Sequence, residues 1–170
     1  MMQLPLRKIN EEVFLATDEI VRFDHRAVEF IKKQALSNKR GRARICAHKS
    51  NDDSLHEMLI AMRSDSYIRP HRHHNKVESF HLIERSADIV ILNAEGEIIE
   101  LIKLGPGNNF YYRLDAPHYH TLLIHSPILV IHEITNGPFN STASDFANFA
   151  PTEEDCKVAE YMVSIKLKLQ

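Results

Sequence analysis

An antiparallel β-sandwich or barrel is the fold this sequence predicts, on three observations. From about Arg42 to Thr135 the apolar residues alternate with polar ones or gather in short runs rich in Val, Ile, Leu, Phe and Tyr. Turn residues punctuate these runs roughly every eight to twelve positions, the spacing of sandwich and barrel folds. Only the two ends of the chain carry a helical period.

Residues 24–38 read as the first helix. Asp24 is placed to cap it, and Val28, Ile31 and Ala35 recur at helical spacing. Ser37-Asn38 and Gly41 end it. Strands are then expected at Arg42–Ala47, His56–Arg63, Tyr67–Arg69, Val77–Ile83, Ala87–Asn93, Ile98–Leu104, Phe110–Leu114, Tyr119–His125 and Leu129–Thr135. Asn93-Ala94-Glu95-Gly96-Glu97 reads as a hairpin connection, and Gly105-Pro106-Gly107 and Ser126-Pro127 as further turns. Asn136-Gly137-Pro138-Phe139 stops the last strand. Ser144 to Pro151 reads as a loop anchored by Phe146 and Phe149. A closing helix is expected over 153–168, where Val158, Met162, Ile165 and Leu169 keep a rough 3–4 spacing. The whole, 1–170, is expected to be one domain: an N-terminal extension with its helix (1–41), the barrel (42–135) and a tail packed on it (136–170).

With 170 residues, 44% of them hydrophobic, the chain can build a proper core. A formal net charge of −2 gives no global reason to expect nucleic acid or an anionic membrane as partner. The basic stretch Lys39-Arg40-Gly41-Arg42-Ala43-Arg44 reads as a solvated loop before a strand, with phosphate or sugar-nucleotide binding as the sharper alternative. Cys46 and Cys156 are far apart and form no CxxC pair, which points to reduced thiols in a cytoplasmic protein. Met1 to Asn10 has no apolar core of the kind a signal peptide needs. The longest apolar runs, such as Ile128-Leu129-Val130-Ile131, are too short to span a membrane.

The chemistry lies in Pro70-His71-Arg72-His73-His74-Asn75-Lys76-Val77-Glu78 and in Pro117-His118-Tyr119-His120-Thr121. Histidines at i and i+2 of a strand project to one side. A glutamate five residues on returns to them across a short turn. His71, His73, Glu78 and His120 are thus the candidate ligands of one divalent transition metal: Fe, Mn, Zn, Ni or Co. His81 has the opposite parity to Glu78 and should point away, and His118 lies in the turn. His25, His48, His56, His74, His125 and His132 read as ordinary histidines. Parity also nominates the walls. Phe80 and Leu82 follow Glu78, and Leu122 and Ile124 follow His120. Tyr67 and Arg69 precede His71 at even spacing. Tyr67 and Glu133 are the candidate acid–base groups, and Arg69, with Tyr67, the candidate substrate-binding group. For Arg69, pairing with a carboxylate such as Glu133 is the equal alternative.

At these residues the chain resembles the cupin superfamily. All four ligand positions of the two cupin motifs are matched, by His71, His73, Glu78 and His120. The motif glycines are replaced by Asp65, Arg85, Asn109 and Pro117. Arg and Pro take left-handed backbone poorly, so the turns at Arg85 and Pro117 are expected to differ from the usual ones. A narrower resemblance, to the WbuC family of cupin-fold metalloproteins, rests on Tyr67-Ile68-Arg69-Pro70-His71-Arg72-His73, on Lys76-Val77-Glu78, on Arg42-Ala43-Arg44, on Gly137-Pro138-Phe139 and on Asp145-Phe146-Ala147-Asn148-Phe149-Ala150-Pro151. It implies a mainly β, single cupin (jelly-roll) barrel and a link to bacterial surface-polysaccharide (O-antigen) gene clusters. The expected ligand is a small polar molecule of sugar or sugar-nucleotide type. A metal-dependent isomerase or epimerase is one reading. An Fe(II) dioxygenase, a non-catalytic binding module and a structural metal site are the others. A homodimer is expected, with no nucleic-acid partner.

Overall fold

The structure, a computed structural model, describes residues 4–140, 142 and 144–169. Among these, twelve strands and two helices follow in chain order: β1 (Leu6–Lys8), β2 (Val13–Ala16), α1 (His25–Ser37), β3 (Arg42–Cys46), β4 (Leu55–Arg63), β5 (His71–His73), β6 (Glu78–Glu84), β7 (Ala87–Leu92), β8 (Ile98–Leu104), β9 (Tyr111–Leu114), β10 (Tyr119–Ile124), β11 (Ile128–Asn136), β12 (Ser144–Phe146) and α2 (Val158–Lys168). They form a jelly roll of two sheets. The larger has the order β1-β2-β3-β4-β11-β6-β9 and the smaller β12-β5-β10-β7-β8. Every strand pair is antiparallel except β2 with β3.

Period-two alternation organises three apolar layers. Between the sheets lie Phe80, Leu82, Ile89, Ile91, Leu122, Ile124, Leu129 and Ile131. The outer face of the large sheet (Ala43, Ile45, Leu59, Ala61, Val130) is closed by Ala27, Val28, Ile31 and Ala35 of α1. The outer face of the small sheet (Val90, Leu92, Tyr119, Leu123) is covered by Ala147, Ala150 and Ile165 of the tail and α2. The Asp24 carboxylate accepts from the backbone N–H groups of Arg26 and Ala27 and so caps α1.

Some expected elements shift. No strand forms at Tyr67–Arg69; the ladder begins at His71. Pro70 has no N–H to donate and holds its predecessor extended. The segment hangs instead from the Thr121 hydroxyl, which donates to the Ile68 carbonyl at 2.5 Å. The closing helix starts at Val158 rather than 153, because Asp155 and Val158 N–H groups make turn bonds to the Thr152 and Asp155 carbonyls. β1, β2 and β12, none of them expected, span only three or four residues each. The turn at Arg85 does not avoid glycine's conformation: Arg85 adopts φ 80° in the two-residue β6–β7 connection. The tight reversal imposes left-handed backbone, at a cost of about 1–2 kcal/mol for an L residue. Pro117 and the other replaced positions, Asp65 and Asn109, are absent from the positive-φ set. At Gly137, after β11, a Cβ would lie 1.9 Å from the Asp53 carbonyl oxygen, so no other residue fits.

Candidate metal centre

Two sheets supply the site. β5 and β10 run side by side with His71 directly opposite His120. β12 covers the other edge of β5 and sets Ser144 opposite His73. Glu78 arrives from the facing sheet, on the first residue of β6. The β5–β6 connection can be this short because Asn75 takes a left-handed conformation, φ 58°, which Asn tolerates better than most residues. One ligand atom from each of His71, His73, Glu78 and His120 lies within 4.8 Å of the other three.

The orientation of the imidazoles argues for metal ligation more strongly than their proximity does. His71 Nδ1 meets the Arg69 carbonyl at 2.9 Å, His120 Nδ1 the His118 carbonyl at 3.2 Å, and His73 Nδ1 the Ser144 hydroxyl at 3.1 Å. A ring nitrogen facing a carbonyl must carry the proton, which leaves Nε2 of that ring as a lone pair. On His73 and His120, Nε2 is the atom turned to Glu78, at 3.4 and 3.0 Å from its two carboxylate oxygens. Glu78 Oε1 and His120 Nε2 are both buried, yet neither makes an aligned hydrogen bond despite their 3.0 Å approach. Buried polar atoms are rarely left so. Ligands about 2.1 Å from one ion stand at most about 4.2 Å apart. The four atoms therefore fit one ion after shifts of tenths of an ångström.

The electrostatics of Glu78 and His71 suit a ligand set, whereas those of His120 favour the protonated ring while no ion competes for its Nε2. Burial opposes ionisation of Glu78, but His120, His73 and His71 outweigh it and hold the carboxyl below its ordinary range. Burial pushes His71 down to about 4, with His120 adding to the effect, so this ring is neutral near pH 7 as a ligand must be. For His120 burial acts the same way, but the Glu78 carboxylate prevails and raises its pKa.

A cavity of about 240 Å³ adjoins the four residues, walled by Ile60, Phe80, Leu122, Glu133, Arg44 and Lys76. Glu133 keeps some accessible surface because it borders this cavity. Burial, and then Glu78, push its carboxyl up to about 7. Tyr67 and Arg69 are elsewhere. The Tyr67 hydroxyl donates to the Pro151 carbonyl at 3.0 Å, and Arg69 donates to the Ala147 carbonyl at 2.8 Å while lying over the Phe146 ring. Ile68 takes the wall position instead. With no regular strand before Pro70, parity does not carry back from His71, and both expected pocket residues turn to the tail. His81 points away as expected, packing on Tyr111 and His132 outside the sheet. Neither Ser144 nor Lys76 was a site candidate in the sequence; Arg44 belongs to the basic stretch read as a solvated loop, whose Arg42–Arg44 end instead opens β3 and turns Arg42 and Arg44 to the cavity. Arg44 shares strand parity with Arg42, a usable signal, whereas nothing before folding tied Ser144 to His73.

Comparison with known proteins agrees with the fold. Protein SO0799 of Shewanella oneidensis superposes with a TM-score of 0.58 at 13% identity, over 82% of this chain and 94% of its own. The L-ribose isomerase of Cellulomonas parahominis, in a structure with L-psicose, superposes with a TM-score of 0.51 at 12% identity, over 64% of this chain and 70% of its own. Fold and site together define a jelly-roll β protein whose two sheets converge on a His/Glu cluster of the kind that could hold a metal ion. In sequence, the chain matches the family described as a domain of unknown function, DUF6016, over residues 23–104, a span that holds His71, His73 and Glu78 but not His120. No curated protein matches it. Among the described residues no helix is long and apolar enough to cross a membrane.

Proposed function

We propose that His71, His73, Glu78 and His120 hold one divalent transition ion (Fe, Mn, Zn, Ni or Co), and that the protein uses it to bind and convert a small polar molecule of sugar or sugar-nucleotide type. The observation that carries this reading is the buried cluster itself. Three imidazoles are tied back through Nδ1, and an orphaned carboxylate oxygen faces an orphaned Nε2. When bound, the ion supplies Lewis acidity toward a hydroxyl or carbonyl oxygen. The chain supplies the rest. Ile60, Phe80 and Leu122 exclude water from one side of the cavity. Glu133 projects into it without a hydrogen-bond partner among the described residues, positioned to exchange a proton with a substrate in isomerase or epimerase chemistry.

The cavity beside the cluster favours a ligand-handling centre over a purely structural ion, which needs no such space. The L-ribose isomerase among the fold relatives is a sugar-converting enzyme, which supports a sugar as the substrate here. The tail residues that resemble the WbuC family support a role in O-antigen biosynthesis in the cytoplasm. Among the described residues the outer strands β1, β8, β9 and β12 each have a strand neighbour on one side alone, which supports assembly as a homodimer. The test is elemental analysis of protein expressed in metal-supplemented medium, then incubation with sugars and nucleotide sugars. About one ion per chain, lost in His73→Ala, is expected, with conversion of a sugar. A full complement of metal in His73→Ala would remove the assignment. Stoichiometric metal with binding but no conversion would leave a binding module.

A further inference from the structure

Six of the eleven arginines make an ion pair among the described residues, and the cavity-facing Arg42 is one of them. Arg40 and Arg42 share Glu153, Arg63 holds Asp65, Arg72 holds Asp145 and Arg113 holds Asp115. Arg42 and Arg44 both point inward from β3, since Ala43 and Ile45 between and beyond them pack under α1. Yet only Arg42 is neutralised. Among the described residues Arg44 makes no ion pair, and the one polar contact of its guanidinium is the Met58 sulfur at 4.0 Å. Lys76, on the β5–β6 connection, also lines the cavity with no ion pair among the described residues. Glu133 lines the same cavity and, among the described residues, makes an ion pair with neither, although each stabilises its charge. A half-buried guanidinium without a partner is costly, and its planar fork suits a carboxylate or phosphate.

We propose that Arg44 and Lys76 form an anion subsite beside the metal centre, and that the substrate is a single-sugar-sized, oxygen-rich molecule bearing a carboxylate or phosphate. The inference rests on the metal-dependent reading above and narrows it. Charge favours it: with a divalent ion present, the positive charges of the ion, Arg44 and Lys76 exceed the negative charges of Glu78 and Glu133. Size narrows it further. A cavity of about 240 Å³ holds the volume of about eight waters at ~30 Å³ each, enough for one sugar acid or sugar phosphate. A nucleotide sugar would extend beyond that volume.

The experiment uses the full chain loaded with Co(II), whose visible spectrum reports an oxygen ligand arriving at the ion. It is titrated with gluconate, inorganic phosphate, D-glucose and UDP-glucose. We expect gluconate to bind at least tenfold more tightly than glucose, and Arg44→Met and Lys76→Met each to weaken gluconate about tenfold while cobalt stoichiometry holds. Lys76 lies on a connection rather than in a strand, so Lys76→Met keeps the test decisive if Arg44→Met misfolds. Equal affinity for gluconate and glucose, or indifference of gluconate to Lys76→Met, each with cobalt bound, overturns the anion subsite and leaves the metal centre standing, and tighter binding of UDP-glucose than of gluconate overturns the single-sugar size. Failure to bind cobalt at all overturns the metal-dependent reading, and this one with it.

Discussion

The two faces of the seven-stranded sheet are made by the same strands and do opposite work. On the outer face Ala43, Ile45, Leu59, Ala61 and Val130 form an apolar layer with α1. On the inner face the alternate residues of β3, β4, β11 and β6 set Arg44, Glu133 and Glu78 among Ile60, Ile131 and Phe80. A strand offers both sides for one backbone cost. The outer side supplies burial and hence stability. The inner side, stabilised from behind, tolerates buried charge where chemistry needs it. Perturbing each face should therefore change different measurements.

The largest effect is expected from the inner face. Glu78→Gln keeps the shape but removes the only carboxylate of the cluster. Metal affinity should fall by at least about 100-fold, equivalent to about 2.7 kcal/mol of ion-linked stability at a fixed ion concentration. Wild-type protein should melt higher on adding Mn(II) or Zn(II), and the variant should lose most of that rise. An unaltered rise in the variant would detach Glu78 from the ion.

On the outer face Ile31 is completely buried beneath the sheet. Ile31→Ala should lower unfolding free energy in urea by about 2–5 kcal/mol, the range for deleting a large core aliphatic. Metal content per folded chain should not change. If it falls as well, the two faces are coupled, and the separation drawn here is wrong.

A smaller effect connects the two. Glu133 stands at about 7 in the folded protein against an ordinary 4.5. Between those values the folded state holds a proton that the unfolded chain has released. Its contribution therefore lowers stability as pH rises from about 4.5 to about 7. His71, pushed down to about 4, acts with the opposite sign over about pH 4–6.5, so the raw profile mixes the two. Comparing Glu133→Gln with wild type in EDTA isolates the first. The variant should gain on wild type between pH 5 and 7.5. Parallel profiles would show that the carboxyl is not strained by its burial.

How much of this was legible before folding follows from what each residue depends on. The helix at 24–38 and the strands from Arg42 to Thr135 depend on local period and turns, and all but Tyr67–Arg69 form within a residue or two of the expected bounds. The ligand set lies on two short segments, with period two and one turn between three of its members, so spacing alone could nominate those three. Parity alone does not pick His120, since His118 shares it; the resemblance to the second cupin motif nominates it. Ser144 behind His73 depends on a three-residue strand pairing across 71 positions, which no local pattern encodes. Arg85 shows the reverse case: the residue advertises a different turn, and the tight β6–β7 reversal imposes glycine's conformation on it anyway.

Arg69 is where the period misleads, and it sets the smallest expected effect. Extending the alternation back from His71 places Arg69 inside the cavity, but the ladder stops at Pro70 and the guanidinium holds the Ala147 carbonyl instead. Arg69→Ala should therefore leave metal content unchanged and gluconate affinity within about twofold, while Lys76→Met lowers the latter. The cost should appear only as stability, about 1–3 kcal/mol for losing a charged donor to a part-buried carbonyl. Equilibrium titration and urea unfolding of the same preparation separate these outcomes. A tenfold loss of gluconate binding in Arg69→Ala would mean that the segment before Pro70 rotates inward when ligand arrives, and the inner face would then extend one strand further than the structure draws it.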